Sequence, residues 1–153
     1  GAVATWLTAR AIGLDQSGYG MLLARTIKQT RKFEHWLTQH LTSARIYPGC
    51  DTNLLCFCIA DPGEPTSATN ARTQRVLSRL ASETRYYLTK TEFPIDASVS
   101  EASAAFLAQW SAEIDSDQIQ VLRICLMNPF FDSAELDISP IRHLFVSISE
   151  GAD

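Results

Sequence analysis

Lysine is scarce in this sequence of 153 residues: of 13 basic side chains only Lys28, Lys32 and Lys90 are lysines. Any chemistry that runs through a lysine amine therefore has three places to occur. Apolar runs of the roughly 18–20 residues that a membrane span requires are missing, and the opening residues do not read as a secretory leader. There is no Cys-x-x-Cys pair and no His-x-x-x-His pair, which removes the usual zinc frameworks. A Gly-x-Ser-x-Gly elbow and a Gly-x-x-x-x-Gly-Lys-Ser/Thr loop are also absent, which argues against an α/β-hydrolase and a P-loop nucleotide enzyme. Charge is moderate, with 20% charged residues, a net charge of −4 and a mean hydropathy of −0.03. That balance excludes a disordered chain. What remains is one domain of ordinary size, long enough to bury roughly 68–70% of its unfolded surface.

The four cysteines are Cys50, Cys56, Cys58 and Cys125. Cys56 and Cys58 lie two apart in an apolar run, so on a strand they share one face. Their pattern reads as small apolar residues in a reduced, cytoplasmic core. Residues 1–90 carry 11 Lys/Arg against 6 Asp/Glu, whereas residues 91–153 carry 2 against 11. The basic half holds no RNP, zinc-finger or helix-turn-helix signature, so no nucleic-acid partner is expected, and no membrane partner either.

Periodicity predicts a helix over Ala2–Ile12, a glycine-punctuated connector, and a long amphipathic helix from Gly20 to about Leu41. Along the latter Leu22, Leu23, Ile27, Phe33, Leu37 and Leu41 form the inner stripe, and Arg25, Lys28 and Lys32 project away from it. Short strands are expected at Ala44–Tyr47 and Leu54–Ala60, the second apolar enough for the middle of a sheet. A second long helix spans Thr69–Thr84, with Thr73, Val76, Leu77 and Leu80 inward and Arg72, Arg75 and Arg79 as a solvated stripe. Strands follow at Arg85–Phe93 and Gln118–Met127, around an acidic segment with a short helix near Ala102–Trp110. The final helix begins at Asp132, or at Ser139 with Pro140 in its first turn. This order predicts an α+β fold, an antiparallel sheet of about four strands with helices on one face.

One residue does not suit its strand. Alternation places Ile119, Val121, Arg123, Cys125 and Met127 on one side of the fourth strand. Arg123 is thus a permanent charge in a strand that reads as buried on both faces, and burying it unpaired costs several kcal/mol, on the order of a lost buried ion pair. Three resolutions are open. It meets a carboxylate (Glu113, Asp115 and Asp117 lie just upstream), it reaches solvent at a domain boundary, or it receives an anionic ligand. Its planar fork matches a carboxylate. His35, His40 and His143 form no constellation with it.

Trp6-Leu7-Thr8-Ala9-Arg10-Ala11-Ile12-Gly13, then Gly18-Tyr19-Gly20, resembles the end of the large domain of group II decarboxylases, which use pyridoxal 5′-phosphate (PLP). Thr52-Asn53-Leu54-Leu55-Cys56-Phe57 is similar to that family's Asn-Leu-Val-x-Phe strand. Val121-Leu122-Arg123-Ile124-Cys125-Leu126-Met127-Asn128-Pro129 is similar to its Leu-Arg-x-x-x-x-Asn-Pro strand. The resemblance covers nearly the whole chain and is weakest across Pro94–Asp117. It implies a C-terminal small domain over residues 19–153, preceded in residues 1–18 by the last large-domain helix and its connector. It also implies a homodimeric, PLP-dependent amino-acid carboxy-lyase as parent, whose large domain lies in the same chain. In that setting Arg123 helps to hold the substrate's carboxylate.

The family's cofactor lysine follows a histidine. Here Lys28 follows Ile27, Lys32 follows Arg31 and Lys90 follows Thr89, so none matches. The expectation is that this piece alone binds no PLP and has no catalytic residue of its own. If the chain is a fragment, Trp6 and Leu7 should form an uncovered apolar patch. The competing readings are a stand-alone ferredoxin-like binding or regulatory module, and the small domain of an aminotransferase-like PLP enzyme. The substrate amino acid is not legible.

Overall fold

The computed structural model describes residues 1–83, 88–95, 100–131 and 139–149. The elements in chain order are α1 (Ala2–Ile12), α2 (Tyr19–His40), β1 (Ala44–Ile46), β2 (Leu54–Ile59), α3 (Thr66–Glu83), β3 (Thr89–Pro94), α4 (Glu101–Ala108), β4 (Gln118–Cys125) and α5 (Ser139–Ser149). The strands form one antiparallel sheet in the order β1-β2-β4-β3, as expected of the α+β class, but the helices do not keep to one face as expected: α2, α3 and α5 pack on one side and the short α4 on the other, because β2 and β4 carry apolar side chains on both faces. The apolar strands β2 and β4 take the middle, and the more polar β1 and β3 take the edges.

The alternation of β2 and β4 sorts their side chains into two cores. Leu55, Phe57, Ile59, Leu122 and Ile124 join Phe33 and Leu37 of α2, Val76 and Leu80 of α3, and Phe145 of α5. Phe57 and Phe145 meet edge to face with centroids 5.5 Å apart. On the opposite face Cys56, Cys58, Ile119 and Val121 pack under Phe106, Leu107 and Trp110 of the short α4 region. Tyr47, just past the end of β1, and Phe93 of β3 stack at 4.1 Å within this second layer. The Tyr47 hydroxyl shares a 2.9 Å hydrogen bond with Ser103 Oγ, and this ties the aromatic pair to α4.

β2 pairs with β4 only over Leu54–Phe57 and Leu122–Cys125. Beyond that the two strands lose each other's backbone, and α3 supplies replacement partners. Asn70 Nδ2 donates to the Gln118 carbonyl (2.9 Å) and its Oδ1 accepts from Gln120 N (2.7 Å). Arg72 Nη1 donates to the Ile59 carbonyl (3.2 Å). Arg72 also pairs with Glu64 (2.9 Å) and Asp61 (3.0 Å), so it departs from the expected solvated stripe. Its partners come from the preceding loop, which folds back along the helix.

α3 starts three residues earlier than periodicity predicted because Asp115 caps it. Ser67 N donates to Asp115 Oδ1 at 2.8 Å, and the Thr66 and Ser67 hydroxyls also bond that carboxylate. These bonds hold the Asp115 carboxyl below its ordinary range, the Ser67 hydroxyl contributing most. The last helix takes the Ser139 start; the Asp132 alternative lies outside the described residues, as do residue 84 of the expected second long helix and residues 85–87 of the expected third strand. On α2, Leu23 is exposed rather than inward, while Thr26, Gln29 and Thr30 are buried beside Phe33.

α1 buries none of its residues; Val3, Trp6 and Leu7 are 72%, 60% and 53% exposed. It joins α2 through a tight elbow. Asp15 Oδ1 accepts from Ser17 N (3.0 Å), Ser17 Oγ (2.8 Å) and Gly18 N (2.8 Å). A Cβ on Gly18 would lie 2.2 Å from the Ile12 carbonyl oxygen, so only glycine fits there. None of the described helices is long and apolar enough to cross a membrane.

Candidate functional site

The α4 cover ends part-way along β4. Ile119 and Val121 are buried on this face, Arg123 is half-buried, and Cys125 is exposed. Arg123 therefore stands part-exposed where the second core opens, so of the three resolutions it reaches solvent. Strand alternation reveals which face a residue takes but not where the covering helix stops.

Register places Cys56 of β2 on one flank of Arg123 and Thr89 of β3 on the other. Arg123 Nε donates to Thr89 Oγ1 at 3.0 Å. Neither flank carries charge, and among the described residues no carboxylate pairs with the guanidinium. Of the upstream acids, Asp115 spends its carboxylate on the start of α3, while Glu113 and Asp117 are tied through their backbone carbonyls, which accept Thr66 N and Ile95 N. Among the described residues, the carboxylate partner that this acidic segment offered to Arg123 is not found.

Burial pushes the Cys56 thiol up to about 11; the Cys50 thiol adds to the rise, and Arg123 opposes it without winning. Cys58 is raised further, chiefly by burial. Both thiols stay neutral near pH 7 and behave as small apolar residues, as expected. Cys125 departs from the expected buried position, being exposed at the open end of the face. All four cysteines are free.

The sequence singled out Arg123 but missed Thr89. No local signal marks Thr89, because its role depends on β3 pairing with β4 in one register, across 34 residues of chain.

Lys28 and Lys32 project from the exposed side of α2, and Lys90 Nζ pairs with Glu92 at 2.8 Å on the edge strand. Among the described residues no group of His, Cys, Asp and Glu has the makings of a metal site. A hollow of about 390 Å³ lies beside Arg25, Lys28 and Lys32, and an apolar one of about 510 Å³ lies between α4 and Ile95 and Ile114. Neither includes Arg123.

No protein-family model and no curated protein matches the sequence. The fold does have solved counterparts. Tryptophan decarboxylase from Catharanthus roseus, solved with L-tryptophan, superposes with a TM-score of 0.59 at 17% identity over 97% of this chain. The Oryza sativa TDC, solved with PLP and tryptamine, gives 0.58 at 13% identity over 95%. The glutamate decarboxylase domain of diaminobutyrate-pyruvate transaminase and L-2,4-diaminobutyrate decarboxylase from Vibrio parahaemolyticus gives 0.56 at 11% identity over 97%. The chain spans about a quarter of each of these proteins, 25%, 26% and 25% respectively. Its fold is accordingly that of one small domain found within larger decarboxylase chains.

Proposed function

We propose that this chain is the small domain of a PLP-dependent amino-acid decarboxylase, and that Arg123 orients the substrate's carboxylate. The observation that carries the proposal is a half-buried guanidinium with neutral flanks, at the open end of a sheet whose fold recurs in three decarboxylases. A fixed cation there offers an amino acid's carboxylate a bidentate partner. Orientation of that group sets the bond to be broken against the cofactor, which supplies the electron sink for carbon dioxide loss.

The residues present do not suit PLP itself, because each lysine projects from a helix or strand exterior and Lys90 is already paired. The cofactor is therefore assigned to a large domain in the same polypeptide, with residues 1–18 as that domain's last helix and connector. The uncovered side chains of Val3, Trp6 and Leu7 on α1 match such a neighbour. The working enzyme is read as a cytoplasmic homodimer, and the 153-residue piece alone as inactive.

The test is a comparison of full-length wild type and Arg123→Ala, each supplied with PLP, against L-tryptophan, L-glutamate and L-2,4-diaminobutyrate. The variant should lose at least tenfold in kcat/KM for whichever is turned over, since a charge-assisted pair is worth about 1.5–3 kcal/mol. Unchanged kinetics would refute the role of Arg123. Carbon dioxide release by residues 1–153 alone would overturn the assignment of the cofactor to another domain.

A further inference from the structure

We infer that Thr89 is a positioning residue for Arg123, one that fixes the inner edge of the guanidinium and presents its two terminal nitrogens to a single carboxylate. This inference rests on the reading of Arg123 given above and extends it to a residue on a different strand.

Thr89 and Arg123 are register partners across the antiparallel β3–β4 pair. The Thr89 hydroxyl accepts the Arg123 Nε–H at 3.0 Å and has the Arg123 carbonyl oxygen as its own acceptor at 3.5 Å. A hydroxyl carries one proton and two lone pairs, so it can serve both contacts at once. The residue is held at its backbone and at its side chain by the same atom. Arginine has five N–H donors in a rigid plane. With Nε engaged, the four on Nη1 and Nη2 make up the outer edge of the fork. Cys56 on the other flank is neutral and makes no competing ion pair. The geometry selects an end-on fork, in which both carboxylate oxygens meet the two Nη groups. The plane is oriented before the ligand arrives, which lowers the cost of ordering a long side chain on binding.

The hydroxyl can be removed without unmaking the strand, because valine has the shape of threonine and suits a β-edge. The experiment uses full-length Thr89→Val, Thr89→Ser and Arg123→Ala with PLP. The probes are the amino acid turned over fastest among L-tryptophan, L-glutamate and L-2,4-diaminobutyrate, and the amine it yields. The amine lacks the carboxylate and reports everything else about the site. Thr89→Val should raise KM for the amino acid about tenfold, the value of one charge-assisted hydrogen bond. Its inhibition constant for the amine should stay within twofold, and Thr89→Ser should behave as wild type. With arginine side chains labelled in nitrogen-15, the Arg123 Nε–H should exchange slowly with solvent in wild type and in Thr89→Ser, and rapidly in Thr89→Val.

A Thr89→Val KM within twofold of wild type overturns the inference, and so does an equal weakening for acid and amine, which marks a merely structural role. The Arg123→Ala arm separates the two readings. If it raises KM while Thr89→Val does not, the positioning role alone fails; if it leaves KM unmoved, the carboxylate role of Arg123 fails and the positioning role with it.

Discussion

The two faces of the sheet are built from the same four strands and finished differently. On one, α2, α3 and α5 press a continuous apolar layer from Leu37 through Phe57 to Phe145, all three fully buried. On the other, α4 covers Cys58, Ile119 and Val121 and then stops, leaving Arg123 half-buried and Cys125 exposed. Burial of apolar area, at about 25 cal/mol per Å², makes the first face the main source of stability. The second gives up part of that gain and keeps a charged group within reach of a ligand. With Arg123 in its proposed role, stability and function are divided across one sheet, and substitutions on the two sides should separate them.

The sharpest break comes from Phe57→Ala on the covered face. It should cost about 3–5 kcal/mol, because the ring is fully buried against Phe145 and its loss leaves a cavity. Urea unfolding monitored by circular dichroism measures this; a cost below 1 kcal/mol, within the range of ordinary surface changes, would contradict the core assignment.

Gly18→Ala should come next, with a localised effect. The added methyl runs into the Ile12 and Gly13 carbonyls, so the elbow must reopen. Amide exchange should then quicken over Ala2–Ile12 while the sheet amides keep their protection. Equal loosening of both would mean that α1 is coupled to the core more tightly than its burial indicates.

Two titrations probe the faces by pH. The Asp115 carboxyl is depressed in the folded chain by its bonds from Ser67 and Thr66, so it binds its proton less readily than in the unfolded chain. Its contribution is present above the unfolded value of about 3.9 and is lost as pH falls through the lower folded value. Asp115→Asn should flatten the acid side of the melting curve. The Cys56 thiol shifts the other way, to about 11. Its contribution is full below the unfolded value of about 8.5 and declines as pH rises towards the folded one. Cys56→Ala should flatten the alkaline side, and an unchanged slope between pH 8.5 and 11 would show that the thiol is not buried in solution.

The smallest effect on stability is expected from Arg123→Ala, within about 0.5 kcal/mol, as for a surface change whose partner among the described residues is the neutral Thr89. Paired with the expected loss of kcat/KM, that near-neutrality is the clearest separation of the two faces. A large destabilisation would turn Arg123 into a structural residue.

Much of this division was readable from residue order. The alternation of β4 exposed Arg123 as the charge that did not suit its strand, and the 3.6-residue spacing of Val76 and Leu80 found the inner face of α3. The rest depended on partners distant in sequence. Asp115 caps a helix 48 residues upstream at Ser67, so the start of α3 could not be set from its own composition. Arg72 looks like one tooth of an outward arginine stripe until the Asp61–Glu64 loop folds against it. Thr89 is one of several threonines near a strand edge, and only the register gives it Arg123.

Cys125 has a practical consequence. Its thiol is exposed and lies two residues from Arg123 on the same face, whereas Cys56 and Cys58 are shielded and Cys50 is half-covered. The molecule thus carries its own attachment point for a thiol-reactive fluorophore or spin label, on the same strand face as the Arg123 guanidinium. A reporter placed there would register the arrival of a carboxylate directly, with no turnover required.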